Sequence, residues 1–135
     1  MAKIRKSAED YLEAMLILYN KHGYIRSVDV ARQLAVTKPS VSYATKRLRE
    51  EGYIVMDENG LIQLSDSGRA VAEHIYERHR LFTEYFIELG IDPVTARKDA
   101  CEIEHDLSDE TFDAVKKDIL SRMNRTNQKQ ASANS

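Results

Sequence analysis

The 135-residue chain (15.5 kDa) is 42% hydrophobic and 31% charged, which suits one compact domain or two small subdomains, and its 20 Lys and Arg against 22 Asp and Glu leave a formal net charge of −2. A lone cysteine, Cys101, excludes an intramolecular disulfide framework, and no run approaches the roughly 18 apolar residues of a membrane span, so a soluble cytoplasmic protein with no membrane partner is expected. Five glycines and two prolines leave little room for a β-rich fold or a Gly-rich phosphate loop.

In chain order, Leu12, Met15, Leu16 and Tyr19 recur at helical spacing over residues 7–21, with Ser7 as the expected N-cap and His22-Gly23 as the stop. A short helix over 27–34 breaks near Val36. Thr37 then caps a third helix that tolerates Pro39 in its first turn and turns Val41, Ala44, Thr45 and Leu48 inward. Two β-prone runs, 53–56 and 61–64, flank Asp57-Glu58-Asn59-Gly60, a hairpin signal. A hairpin straight after a helix-turn-helix is a wing.

Ser65-Asp66-Ser67-Gly68 opens a long helix over about 66–89 that Gly90 ends. Asp92-Pro93 starts another that carries Cys101 as far as Leu107, and Ser108-Asp109-Glu110 caps a last helix through about Met123. The expected fold is therefore mainly α. A winged helix-turn-helix domain (1–65) precedes a second, helical domain (66–123) and a polar tail (124–135) with nothing to bury, read as frayed or disordered.

Charge divides along the same line. Residues 1–50 carry ten Lys and Arg against five Asp and Glu, and residues 51–135 carry ten against seventeen. The basic part points to double-stranded DNA, because the third helix exposes Lys38, Ser40, Ser42, Tyr43, Lys46 and Arg47, with Arg49 near its end and Arg26 and Arg32 before it. Short polar side chains at the start of such a helix touch base edges while its Lys and Arg neutralise phosphates. The plain alternative, a solvated basic face, does not explain the coincidence of basic residues with a turn and a wing.

The acidic part holds a second constellation. On a helix running to Leu107, Cys101, Glu104 and His105 fall at i, i+3 and i+4 and share a face, so a thiolate, a carboxylate and an imidazole converge as in a transition-metal site. Taken alone, a buried free cysteine beside a solvated Glu-His pair would explain them as well. Asp10 and Glu13, at i and i+3 on the first helix, and His79, in the middle of the long helix, bring the potential ligands to six. His74, off the face of His79, reads as a surface imidazole.

With these motifs, ERHRLF (77–82) and CEIEH (101–105) behind a winged helix-turn-helix, the chain resembles the diphtheria toxin repressor family of metal-dependent transcriptional regulators over about residues 5–120. It is most similar to the short manganese transport regulators, which lack the C-terminal SH3-like domain of the iron-dependent members. The resemblance implies a homodimeric repressor of metal homeostasis in which Fe2+ or Mn2+, with Co2+ or Zn2+ able to substitute, orders the DNA-binding wings. By position, Asp10, Glu13, His79, Glu104 and His105 match ligands of the manganese branch, and Thr37, Pro39, Ser40 and Tyr43 occupy base-contacting positions of the toxin-repressor branch.

There are departures. Cys101 stands where the manganese branch has a bridging glutamate and follows the habit of the iron branch, whereas Asp10 replaces that branch's methionine. Two further ligands of the iron branch's ancillary site are replaced by Thr83 and, nearby, Arg97. On this basis Asp10, Cys101, Glu104 and His105 are expected to form the tighter site and Glu13 and His79 a weaker one, with Fe(II) favoured and Mn(II) close behind. Two other functions compete: a redox-responsive regulator switching at Cys101, and a zinc hydrolase using His79, Glu104 and His105. The first lacks a strong neighbouring cation apart from Arg97 and Lys98; the second lacks an H-E-x-x-H spacing.

Overall fold

The computed structural model describes residues 4–133, with side chains through residue 125. It divides into two compact units, the first ending at Tyr76 and the second beginning at Glu77.

In the first unit α1 (Lys6–His22), α2 (Ser27–Leu34) and α3 (Lys38–Glu50) precede a hairpin of β1 (Ile54–Met56) and β2 (Ile62–Leu64) and the beginning of α4 (Asp66–Glu88). The amide of Glu9 already bonds the Arg5 carbonyl, so Arg5 rather than Ser7 takes the capping position of α1, and no side chain caps it. Gly23, at φ 80°, closes α1 in the left-handed conformation expected of a helix-ending glycine. Thr37 caps α3 as expected: its hydroxyl accepts from the Ser40 amide at 3.3 Å and shares a 2.8 Å hydrogen bond with the Ser40 hydroxyl.

Leu12, Met15 and Leu16 of α1 share one core with Val30 of α2, Val41 and Leu48 of α3, Ile54 of β1 and Ile62 of β2. α3 is thereby fixed to α1 by buried apolar side chains, each worth about 1.5–3 kcal/mol of transfer free energy. The hairpin is antiparallel, with Val55 opposite Gln63, and its turn is held by the Asp57 carboxylate, which accepts from the amides of Asn59 and Leu61. The Ile62 amide also bonds the Ile25 carbonyl at 2.9 Å, so the wing is anchored to the segment before α2. At Gly68 a Cβ would lie 2.0 Å from the Tyr53 carbonyl oxygen, and only glycine lets α4 start this close to the base of the wing.

The second unit holds the rest of α4, then α5 (Pro93–Ile103) and α6 (Asp109–Ala133). Asp92 caps α5 by accepting from the amides of Val94 and Thr95. Leu81 and Phe82 of α4, Ala100 of α5, and Phe112 and Ile119 of α6 form its core.

Two boundaries differ from those expected. α5 ends at Ile103, and residues 104–106 form a turn instead of continuing the helix to Leu107. In the other direction α6 continues to Ala133, ten residues beyond Met123, so most of the stretch expected to be a frayed tail is helical; its last two residues lie outside those described. Residues 124–133 contain neither glycine nor proline, so nothing in the local sequence breaks the helix.

Candidate metal centre and nucleic-acid interface

Within the second unit three ligand-type side chains meet. The Glu104 carboxylate is fully buried, with one oxygen 2.9 Å from Nδ1 of His79 and the other 3.3 Å from Nε2 of His105. The second contact lacks hydrogen-bond geometry, so Oε1 of Glu104 is a buried oxygen with no hydrogen bond to satisfy it. Burying a carboxylate without compensation is costly, and a divalent cation is the partner that two imidazoles and a carboxylate are chemically suited to share. The donor set therefore fits an ion of the Mn, Fe, Co and Zn series.

The route by which these residues meet is not the one the spacing suggested. Because α5 stops at Ile103, Glu104 sits at the helix end with αR backbone angles and His105 in the turn beyond it. Cys101 stays one turn back on α5, half-buried. Glu104 thus keeps helical geometry one turn after Cys101 while His105 lies in the turn, and Cys101 belongs to no group of three or more mutually close donor atoms among the described residues. His79, expected as a contributor to a weaker second site, contacts Glu104 directly.

One residue of this arrangement, Arg78, is not singled out by the sequence. Arg78, 3% exposed, donates from Nη1 to the carbonyls of Glu104 (3.1 Å) and Leu107 (2.6 Å) and from Nη2 to the Asp109 carboxylate (2.6 Å). Its guanidinium lies over the Phe112 ring, 4.8 Å from the centroid. Each carbonyl would cost about 1–3 kcal/mol if left buried and unbonded, so Arg78 accounts for why the chain can leave the helix here. No periodicity rule reveals this, since basic residues in a helix are usually solvated.

In the first unit α1 carries Asp10, half-buried, and Glu13, buried, on the helix whose apolar face packs with α3. Beside them Tyr11, its phenol pushed above the ordinary range by burial, lines a groove between α1 and α3 together with Arg5, Ser40, Tyr43 and Arg47.

The candidate DNA-contacting side chains are presented as expected. Arg26, Thr37, Lys38, Pro39, Ser40, Ser42, Tyr43 and Lys46 are exposed, Tyr43 by 66%, while Val41, Thr45 and Leu48 anchor the opposite side of α3. Arg47 is half-buried; it lies over the Tyr43 ring at 5.9 Å and pairs with Glu51 at 3.7 Å, and Glu51 also holds Arg5 at 2.9 Å. Arg26 lies over the Tyr24 ring at 4.9 Å. α3 thus offers polar and aromatic groups beside Lys38 in its N-terminal half, and Lys46 and Arg47 farther along.

Both halves of the chain match known protein families: residues 3–61 the iron dependent repressor N-terminal DNA binding domain, and residues 65–124 the iron dependent repressor metal binding and dimerisation domain. These define a class, the metal-dependent repressors with an N-terminal winged helix-turn-helix. The transcriptional regulator MntR of Escherichia coli O6:H1 is 36% identical over 112 residues, covering 83% of this chain and 72% of the relative. The chain belongs to the diphtheria toxin repressor family, in its MntR-like branch. Among solved structures, the metal-dependent transcriptional regulator MtsR superposes with a TM-score of 0.74 at 31% identity, covering 82% of this chain and 52% of that one. The IdeR of T. acidophilum superposes at 0.72 with 25% identity, covering 92% and 56%. The chain thus spans about half the length of these two solved relatives. No helix among the described residues is long and apolar enough to cross a membrane.

Proposed function

We propose that the protein is a divalent-metal-dependent, homodimeric transcriptional repressor that controls metal homeostasis, acts on double-stranded operator DNA in the cytoplasm and is not an enzyme. The observation that carries the metal part is the buried Glu104 carboxylate set between the imidazoles of His79 and His105. The DNA-binding role belongs to residues 1–65 and the metal-binding and dimerisation role to residues 66–123, with residues 124–135 as an appendage.

The proposed ligand set is Asp10, Glu13, His79, Cys101, Glu104 and His105. His79, Glu104 and His105 enter on their mutual geometry, Asp10 and Glu13 on the resemblance and their place on α1, and Cys101 on the resemblance and the softness of its thiolate. The bound cation, Fe2+ or Mn2+, supplies positive charge that lets carboxylates occupy one small volume without repelling each other. Asp10, once drawn into such a set, constrains the recognition helix, because α1 and α3 share a core. The DNA-competent geometry would be favoured only insofar as these residues held the ion more tightly in it, since equal affinity for both geometries shifts nothing.

On DNA, Thr37, Pro39, Ser40, Ser42 and Tyr43 are proposed to read bases, while Arg26, Lys38, Lys46 and Arg47 meet phosphates. The deciding experiment is a mobility shift on the chain's own upstream region with Mn(II), Fe(II), Co(II) or Zn(II) added separately. Retardation is expected with Fe(II) or Mn(II) and is abolished by a chelator. Equal retardation with and without metal would overturn the reading.

A further inference from the structure

We propose that Arg78 is a positioning residue of the metal centre: it fixes the chain at the end of α5 so that the Glu104 carboxylate and the His105 imidazole face His79, and thereby sets metal affinity and coordination geometry. The inference deepens the proposed function and rests on reading His79, Glu104 and His105 as ligands.

Glu104 is held twice by consecutive residues of α4. His79 reaches its side chain, and Arg78, about 100° around the helix, reaches its backbone carbonyl. The same guanidinium spans the whole turn, bonding Leu107 and then Asp109 at the start of α6. Its planar fork spreads donors over two nitrogens, so three acceptors on one connecting segment are engaged from one rigid group, whereas an ammonium presents all its donors from a single point. The Phe112 ring beneath it and 3% exposure leave it little freedom. Without these bonds the carbonyls of Glu104 and Leu107 seek other donors, and the helix-ending turn that aims His105 loses its definition. The Asp109 carboxylate is 77% exposed, so the outer end of the chain of contacts is solvated and the inner, carbonyl end carries the positioning.

The test uses the full chain and Co(II), whose visible absorption reports coordination geometry and whose titration gives affinity without DNA. Arg78→Met is expected to bind Co(II) at least about 10-fold more weakly and with an altered visible band, the size of effect seen when a group that orients a ligand is removed. Arg78→Lys is expected to fall between Arg78→Met and wild type. Ile119→Val, which loosens the same core away from the site, is expected to lower thermal stability while leaving affinity and band unchanged. Wild-type affinity and an unchanged band in folded Arg78→Met would overturn the proposal. Should that variant not fold, the same result in Arg78→Lys would do so. Glu104→Gln and His105→Ala separate the two levels: if neither alters Co(II) binding, the ligand reading has failed, and if both do while the Arg78 variants do not, only the positioning role has.

Discussion

In the first unit α3, and in the second the end of α5, place their charged groups in opposite environments. In the first, Lys38, Lys46 and the exposed Tyr43 stand in solvent on one side of α3, and its opposite, mostly apolar side packs into the core shared with α1. In the second, Glu104, His105 and Arg78 are buried, and polar bonds decide where the chain goes. A solvated cation contributes little to folding and stays available to an outside polyanion. A buried carboxylate among imidazoles must be compensated inside the protein, so it is tied to an ion, to a precise turn, or to both. The contrast teaches that substitution on α3 should change DNA binding without changing the protein, whereas substitution at the helix end should change metal binding first and DNA binding as its consequence.

The largest effect is expected at the buried end. His105→Ala removes a ligand and is predicted to lower metal affinity by at least about 100-fold and to abolish metal-dependent operator binding, with helix content and dimer retained. Asp10→Ala is predicted to abolish metal-dependent operator binding too, because both ends of the coupling are needed. Calorimetric metal titration and mobility shifts check both, and unchanged metal-dependent operator affinity in either variant would remove that residue from the ligand set.

A smaller and different effect is expected on α3. Lys46→Ala should weaken binding to every sequence alike and reduce the slope of log affinity against log salt by about one, the mark of a single phosphate contact. Ser40→Ala and Tyr43→Ala should instead change which operator is preferred, at about 1–3 kcal/mol of discrimination each. Affinities for specific and random DNA at several salt concentrations separate the two behaviours. Equal loss on both DNAs for Tyr43→Ala would move it from base reading to backbone contact.

The smallest effect, and the one that sharpens the metal choice, concerns Cys101. A thiolate offers one soft sulfur, and a carboxylate in its place offers two hard oxygens. Cys101→Glu is therefore predicted to shift activation toward Mn(II) and to strengthen paired-metal binding, with DNA affinity at saturating metal unchanged. Metal preference is read from mobility shifts across the four ions. A preference untouched by Cys101→Glu, together with tight binding of two Mn(II) per wild-type chain, would dismiss the thiolate from the site.

Thr37, Ser40 and the inward set of α3, with Val41, Thr45 and Leu48 buried and Ala44 half-buried, follow from sequence because cap chemistry and the 3.6-residue period act within a few residues of chain. The hairpin around Asp57 and Gly60 follows for the same reason: an Asx side chain and a glycine at φ 79° fold the turn locally. The exposed basic side of α3 needed no partner to be identified, since its opposite side supplies the apolar stripe. What tertiary structure decided lies where local rules were outweighed. Nothing between Cys101 and Leu107 stops a helix, yet α5 ends at Ile103 because Arg78, more than twenty residues earlier in the chain, bonds the carbonyls of Glu104 and Leu107. A buried hydrogen-bond donor outweighs the small helical preference of the residues it redirects, so His105 lies in a turn and not on the helix that carries Cys101.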